Sequence, residues 1–201
     1  MESAGAPPQA ADAAVIMVHG RGATAQSFLS LIDEFLHHGV MYLAPQAAQS
    51  TWYPRSGYEP IEANEPWFSS ALARVKTALE TATTAGIPSE RVVLLGFSQG
   101  AGLVSEYAAR NPRRYGGLIA LSGSLLGPET SHTYDGTIDG TPVFVGCGRN
   151  DPYVPAERIH ETASVFEQLD GDVTVELYEE LGHAITDDEI QVVNTFVEQF
   201  D

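Results

Sequence analysis

The segment at residues 92–110 constrains the fold of this chain more than any other. Residues 92–95 are apolar throughout and predict a buried strand, and residues 101–110 predict a helix. The five residues between them read GFSQG, with Ser98 in the centre. A strand that turns this sharply into a helix needs very small side chains on both sides of the turn. Both of those positions are glycine, so the segment predicts a tight turn that exposes the Ser98 hydroxyl.

The remainder of the chain alternates apolar runs with amphipathic stretches. The predicted strands are Ala14–Val18, Val40–Ala44, Val92–Gly96, Gly117–Leu121, Pro142–Val145 and Val173–Tyr178. One predicted helix carries an apolar stripe from Phe28 to Leu36, and the last begins with a capping box from Thr186 to Glu189. This alternation is typical of a doubly wound, mostly parallel sheet of about six strands. We therefore expect residues 14–201 to form one α/β domain.

Residues 1–13 are small, polar and proline-containing, and we expect them to form a disordered tail. They lack the basic start and apolar run of a signal peptide, and no stretch of the chain is long enough to cross a bilayer. A single cysteine, Cys147, excludes an internal disulfide. These features favour a cytoplasmic protein without membrane insertion.

The charge balance is strongly acidic. The chain has 27 acidic and 10 basic residues, a net charge of −17, and its one lysine is Lys76. Such a chain would be repelled by nucleic acid and by anionic membranes, which argues against both as partners. Two interpretations remain open: an ordinary acidic protein, or a protein adapted to concentrated salt. The scarcity of lysine favours the second.

Ser98 in a G-x-S-x-G turn indicates a serine nucleophile of the α/β-hydrolase class, in which an acid and then a histidine follow along the chain. Asp151 follows the predicted strand Pro142–Val145, and His183 follows the last predicted strand. Asp135 and Asp139 precede the first of these strands, and His160 lies within a predicted helix. We therefore predict Ser98, Asp151 and His183 as a catalytic triad.

The backbone amides of Arg21 and Gln99 are the predicted oxyanion-hole donors. Arg21 lies in the segment HGRGA at the end of the first predicted strand, and Gln99 directly follows the nucleophile. The same glycine-rich segment partly matches a dinucleotide-binding fingerprint. That fingerprint requires an acidic residue at the end of the next strand, and Gln46 stands there instead, so the dinucleotide reading is rejected.

Two irregular stretches are expected to border the substrate site. Residues 46–66 lack a consistent period and supply, with the residue that follows them, the predicted substrate-binding residues Trp52, Tyr53 and Trp67. Residues 123–140 are rich in small polar residues, and His132 within them is a further candidate for a substrate contact.

In these motifs the chain resembles the phospholipase/carboxylesterase family, which includes acyl-protein thioesterases. The resemblance rests on HGRGA, GFSQGA, GRNDPYVP and LGHAI, in that order, and runs from Val15 almost to the C-terminus. It implies an α/β-hydrolase without a large lid domain that hydrolyses short- to medium-chain carboxylic esters, with thioesters and lysophospholipids as alternatives. It also implies a small-molecule substrate, no cofactor or metal, and a homodimer. The chain departs from many relatives in having arginine rather than leucine at Arg21.

Two other functions are alternatives to this one. A dienelactone-hydrolase-like enzyme would carry cysteine in the tight turn where this chain has Ser98. The one cysteine, Cys147, lies instead at a strand end without a following helix. A non-catalytic ligand-binding protein on a hydrolase scaffold would be expected to lose one triad residue, and all three are present.

The net charge yields a prediction for stability. At about 0.01 M salt the Debye length is roughly 30 Å, so the carboxylates of the folded chain repel one another, whereas at about 1 M it is roughly 3 Å. Because the unfolded chain spreads the same charges further apart, the Tm should rise steadily with sodium chloride over this range. Thermal unfolding followed by circular dichroism measures it, and a flat Tm would show that the acidity is incidental.

Overall fold

Seven strands form one sheet in a computed structural model that describes residues 1–128 and 133–200. In chain order the strands are β1 Glu2–Gly5, β2 Ala13–Val18, β3 Val40–Ala44, β4 Val92–Phe97, β5 Gly117–Leu121, β6 Pro142–Gly148 and β7 Asp172–Tyr178. Their spatial order is β1-β3-β2-β4-β5-β6-β7, and every neighbouring pair is parallel except β1 with β3. The predicted mostly parallel sheet is confirmed.

Helices cover both faces of this sheet. They are α1 Ala25–Leu29, α2 Trp67–Thr84, α3 Gln99–Arg110, α4 Ala156–Gln168 and α5 Asp187–Glu198. Helices α2, α3 and α4 bury one apolar cluster against the sheet, and α1 and α5 bury a second on the opposite face. Strand β2 alternates between them, with Ile16 in the first cluster and Val15 and Met17 in the second. This is the predicted doubly wound arrangement.

The N-terminal segment differs from its prediction. The expected disordered tail instead begins with β1, which pairs antiparallel with β3 from Glu2 opposite Ala44 to Gly5 opposite Met41. The sheet therefore has seven strands rather than about six. Strand β1 is held by backbone hydrogen bonds to an open sheet edge, and its side chains are mostly exposed, so its composition carries no apolar signal.

The helix predicted through Phe28 and Leu36 is also shorter than expected. Helix α1 ends at Leu29, a 3-10 turn covers Ser30–Glu34, and Leu36 is 57% exposed. The Phe35 carbonyl accepts a hydrogen bond of 2.8 Å from the Tyr42 hydroxyl of β3. This tertiary contact holds Phe35 at φ −146°, outside the helical region.

Two long connections leave the carboxyl edge of the sheet. Residues 45–66 join β3 to α2 and contain the 3-10 turns Ala48–Ser50 and Ile61–Asn64. Residues 122–141 join β5 to β6, and the part of this connection that the structure describes contains no helix. Thus no large lid domain is inserted within residues 1–128 and 133–200. Over the same ranges, no helix combines the length and apolar character needed to span a membrane.

Candidate active site

Ser98 occupies a strained turn between β4 and α3. Its backbone has φ 56° and ψ −118°, a conformation that side chains rarely adopt. A Cβ on Gly96 would overlap the Gly100 carbonyl, and a Cβ on Gly100 would overlap the Val18 carbonyl of the neighbouring strand. The Ser98 amide donates a 2.9 Å hydrogen bond to the Leu121 carbonyl of β5. The turn thus depends on both glycines, as the sequence predicted.

The structure brings the three residues of the predicted triad together. The Ser98 Oγ lies 2.9 Å from the His183 Nε2, and the His183 Nδ1 lies 2.7 Å from the Asp151 Oδ2. Ser98 follows β4, Asp151 follows β6 and His183 follows β7, so all three lie at the carboxyl edge of the parallel sheet. Residues that are 85 and 32 positions apart in sequence are thereby placed in one chain of hydrogen bonds.

Asp151 is fixed in its orientation by its own loop. Its side chain is fully buried, and its Oδ1 accepts hydrogen bonds from the amides of Tyr153 at 2.8 Å and Val154 at 3.1 Å. The other oxygen, Oδ2, is left to face His183. An ionised carboxylate only accepts hydrogen bonds, so it selects the His183 tautomer that carries a proton on Nδ1. Nε2 is then free to accept the proton of the Ser98 hydroxyl.

Two aromatic rings contact the imidazole of His183. Phe97 lies 5.0 Å from it between ring centroids, and Tyr153 approaches edge-on at 4.9 Å. Phe97 precedes the nucleophile on β4, whereas Tyr153 is 68% exposed and forms part of the outer wall. Neither ring is among the site residues predicted from the sequence, although Tyr153 lies in the same GRNDPYVP segment as Asp151.

The amides of Arg21 and Gln99 lie next to the nucleophile on two sides. Gln99 begins α3, so its amide has no carbonyl partner within the helix. Arg21 follows Gly20, where an added Cβ would lie 3.3 Å from the Ser98 Cβ, and its amide donates to no residue in the described part of the chain. Both residues line the same cavity as Ser98. Two residues with amides that have no partner in the described part of the chain therefore lie beside the nucleophile.

The side chains of these two residues anchor the loop at residues 52–55. Gln99 accepts from the Trp52 amide at 3.1 Å and donates to the Tyr53 carbonyl at 2.8 Å. The Arg21 guanidinium donates to the carbonyls of Tyr53, Pro54 and Arg55 at 2.9, 3.1 and 3.0 Å. No sequence pattern predicts these contacts, because they join side chains to backbone groups more than thirty positions away.

A cavity of about 560 Å³ opens beside Ser98 and His183. Of the three predicted substrate-binding residues, Tyr53 lines it and two do not. Trp52 is buried behind the glycine-rich segment, where its indole N–H donates to the His19 carbonyl at 2.8 Å. Trp67 begins α2 and is 53% exposed away from the cavity. The predictions for Trp52 and Trp67 are therefore wrong, because an irregular stretch has no period that tells which side chains face inward.

The other side of the cavity is formed by residues that follow β5. Ser122, Ser124 and Leu126 line it, and buried charged groups fix their loop. Arg158 of α4 donates to the carbonyls of Leu125 at 2.8 Å and Gly127 at 3.0 Å. Sequence reasoning placed this loop at the crevice without naming these residues, and His132 lies outside the described residues.

Within the described residues, neither a metal-binding cluster nor the thiol of Cys147 competes with Ser98. In residues 1–128 and 133–200, no group of three histidine, cysteine or acidic side chains is arranged to hold a metal ion. Cys147 is buried, and this burial raises the pKa of its thiol to about 12, so the thiolate needed for attack is not available at neutral pH. The geometry thus favours serine chemistry over the cysteine alternative.

The fold and this cluster of side chains define a protein of the α/β-hydrolase class. The profile of the phospholipase/carboxylesterase family matches residues 2–200, and the chain belongs to that family. As a member of it, the chain is a hydrolase that acts on esters.

Individual relatives agree with this membership. A phospholipase/carboxylesterase from Dyadobacter fermentans superposes with a TM-score of 0.93 at 40% identity, over 98% of this chain and 95% of that one. Acyl-protein thioesterase 1 of Gibberella zeae is 27% identical over 92% of this chain and 89% of that relative. Acyl-protein thioesterase 1 of Saccharomyces cerevisiae is 23% identical over 95% and 94%.

A buried carboxyl group supports the segment that carries His183. The Glu189 Oε2 accepts from the Thr186 amide at 2.9 Å, and the Thr186 hydroxyl accepts from the Glu189 amide at 3.1 Å, which confirms the predicted capping box. The Glu189 side chain is fully buried against Gly146 of β6. Its Oε1 has no hydrogen-bond partner among the described residues. This burial raises the pKa of Glu189 to about 7, against the hydrogen bonds from Thr186 that lower it.

Glu189 should make the protein less stable as the pH rises from about 4.5 to about 7. Over this range the unfolded chain loses the Glu189 proton while the folded chain keeps it. Deprotonation therefore lowers the free energy of the unfolded state relative to that of the folded state. Glu189→Gln retains the capping box and has no proton to lose. The unfolding free energy, measured by urea denaturation, is expected to be higher at pH 5 than at pH 7.5 in the wild type. This difference should be smaller in Glu189→Gln.

The control for this experiment is Asp187→Asn, which changes an exposed carboxylate in the same helical turn. It should keep the wild-type difference between the two pH values. If Glu189→Gln also keeps that difference, Glu189 does not titrate in this range.

Proposed function

We propose that this protein is a serine esterase that works through an acyl-enzyme, with Ser98 as nucleophile, His183 as general base and Asp151 as the residue that orients His183. His183 Nε2 takes the proton of the Ser98 hydroxyl as Oγ forms a bond to the ester carbonyl carbon. The carbonyl oxygen then becomes an oxyanion, which the amides of Arg21 and Gln99 stabilise. The protonated His183 returns the proton to the departing alcohol, and Ser98 carries the acyl group.

Water completes the cycle by the same route. His183 removes a proton from a water molecule, which attacks the acyl carbon and releases the acid, and the proton returns to Ser98. Asp151 remains ionised throughout and stabilises the imidazolium in both halves of the reaction. The single observation that carries this proposal is the unbroken series of hydrogen bonds from Ser98 through His183 to Asp151, at 2.9 and 2.7 Å.

The proposed substrates are short- to medium-chain carboxylic esters. Support comes from the cavity volume of about 560 Å³ and from the partial exposure of Ser98, which leaves the nucleophile open to solvent. Thioesters and lysophospholipids are alternative substrates, and the names of the fungal relatives favour thioesters among them. A cytoplasmic location and a homodimer stay predictions.

Ser98→Ala should abolish ester hydrolysis and leave the fold intact, because it removes only an oxygen that faces the cavity. The remaining rate of 4-nitrophenyl butanoate hydrolysis should be about 10³–10⁴-fold above the uncatalysed rate, which is the acceleration that binding and the oxyanion hole provide without the nucleophile. Labelling by an organophosphonate ester, detected by intact mass, should occur in the wild type and fail in the variant. A wild type that resists labelling would favour the non-catalytic binding protein.

Asp151→Asn should lower kcat by roughly 10²–10⁴-fold with little change in KM, because an amide in place of the carboxylate stabilises the wrong His183 tautomer. Steady-state kinetics on the same ester measures both constants. The matched control is Asp135→Asn, at the exposed aspartate of the connection between β5 and β6, which should keep the wild-type kcat. A larger loss in the control than in Asp151→Asn would mean that the acid is misassigned.

A further inference from the structure

The cavity beside Ser98 has a positive charge that the composition of the chain does not predict. Arg21 and Arg55 both line it, whereas none of its described lining residues is an aspartate or a glutamate. Acidic residues outnumber basic ones by 27 to 10 in the whole chain. The charge of this wall is thus opposite in sign to the net charge of the protein. The wall is adjacent to the nucleophile.

Arg21 is a fixed source of this charge. Its three hydrogen bonds go to the backbone carbonyls of residues 53–55, which are neutral groups and leave the guanidinium charge uncompensated. These bonds occupy three of its five N–H donors and hold the group in place before any ligand arrives. The charge of Arg21 is therefore preorganised beside the cavity.

Arg55 is the guanidinium that a ligand can reach. Its side chain is 60% exposed, and its contact is a 3.4 Å pair with Glu59, which is 42% exposed. Exposed pairs of this kind contribute little free energy, so a carboxylate of a ligand can take the place of Glu59. The backbone of Arg55 is held more firmly, because its amide donates a 2.9 Å hydrogen bond to the buried Asn64 side chain.

The remaining lining combines hydroxyl-bearing residues with apolar ones. Hydroxyl groups of Ser56, Tyr58, Ser122 and Ser124 line the cavity, and its apolar members include Leu126 and Val154. A cavity that combines apolar walls with a few polar groups can hold the hydrocarbon part of a ligand and orient its polar part. These groups suit a substrate that brings hydrogen-bond acceptors of its own.

We infer that the preferred substrates are esters that carry a carboxylate in addition to the ester group, and that Arg55, aided by the charge of Arg21, binds this carboxylate. The inference rests on the esterase function proposed above and narrows its substrate class. A carboxylate is the group that Arg55 already faces, because the Glu59 carboxylate is paired with its guanidinium at 3.4 Å.

The test compares charged and neutral esters of matched size. In the first pair, mono-(4-nitrophenyl) glutarate carries a carboxylate on the acyl side and 4-nitrophenyl pentanoate is its neutral counterpart. In the second pair, 3-carboxyphenyl butanoate carries the carboxylate on the alcohol side and phenyl butanoate is its neutral counterpart. For each pair, the ratio of kcat/KM for the charged ester to that for the neutral ester is measured in the wild type, Arg55→Gln and Arg55→Lys. Intrinsic reactivity cancels because the same ratio is compared between proteins.

Arg55→Gln should lower this ratio about tenfold in at least one pair, equivalent to roughly 1.4 kcal/mol. Arg55→Lys should restore most of it, since the charge returns, and added sodium chloride should lower the ratio in the wild type but not in Arg55→Gln. The matched control is Lys76→Gln, which removes another exposed cation from an i,i+4 pair, 3.7 Å from Glu80 and outside the cavity. It should leave the ratio unchanged.

The outcomes separate this inference from the function on which it rests. If the esters are hydrolysed and the ratio is the same in the wild type, Arg55→Gln and Lys76→Gln for both pairs, the carboxylate site is overturned while the esterase stands. If none of the four esters is hydrolysed, both proposals are overturned.

Discussion

The close approach of backbone segments around Ser98 is the constraint on which the rest of the site depends. Gly96 and Gly100 leave no room for a Cβ, because β4, α3 and β2 meet there within contact distance. Gly123 on the neighbouring connection is equally restricted, against the Ser98 carbonyl. This packing holds Ser98 at φ 56°, which the isolated segment would not keep. The Ser98 hydroxyl consequently lies at the sheet edge where His183 can reach it.

The proposed oxyanion hole and the wall of the substrate cavity are mechanically joined. Arg21 and Gln99 each have their backbone amide beside the nucleophile, while their side chains bind the loop that includes Tyr53. The two residues thus contribute to both parts of the site. In the proposed mechanism the same contacts give the charge of Arg21 a fixed position, so that catalysis and substrate preference share one set of hydrogen bonds.

Much of the fold and of the candidate site could be predicted from the sequence, because the signals involved are local. The apolar runs gave all of the parallel strands, and the order of Ser98, Asp151 and His183 after successive strands placed them on one edge of a parallel sheet. Strand β1 was missed because backbone pairing at a sheet edge needs no apolar pattern. Trp52 and Trp67 were misplaced because composition shows that a loop is aromatic but not which rings face a cavity.

The sequence by itself determined the tight turn at Ser98, the alternation of strands and helices, and the capping box at Thr186, since each depends on residues within a few positions of one another. Only the tertiary structure decided which rings and cations surround the reacting groups. The pairing of Arg21 with residues 53–55, the burial of Glu189 and the place of Arg55 on the cavity wall all join segments that are distant in sequence or fixed by packing. Such contacts are set by how the elements pack in three dimensions, and no periodicity along the chain encodes them.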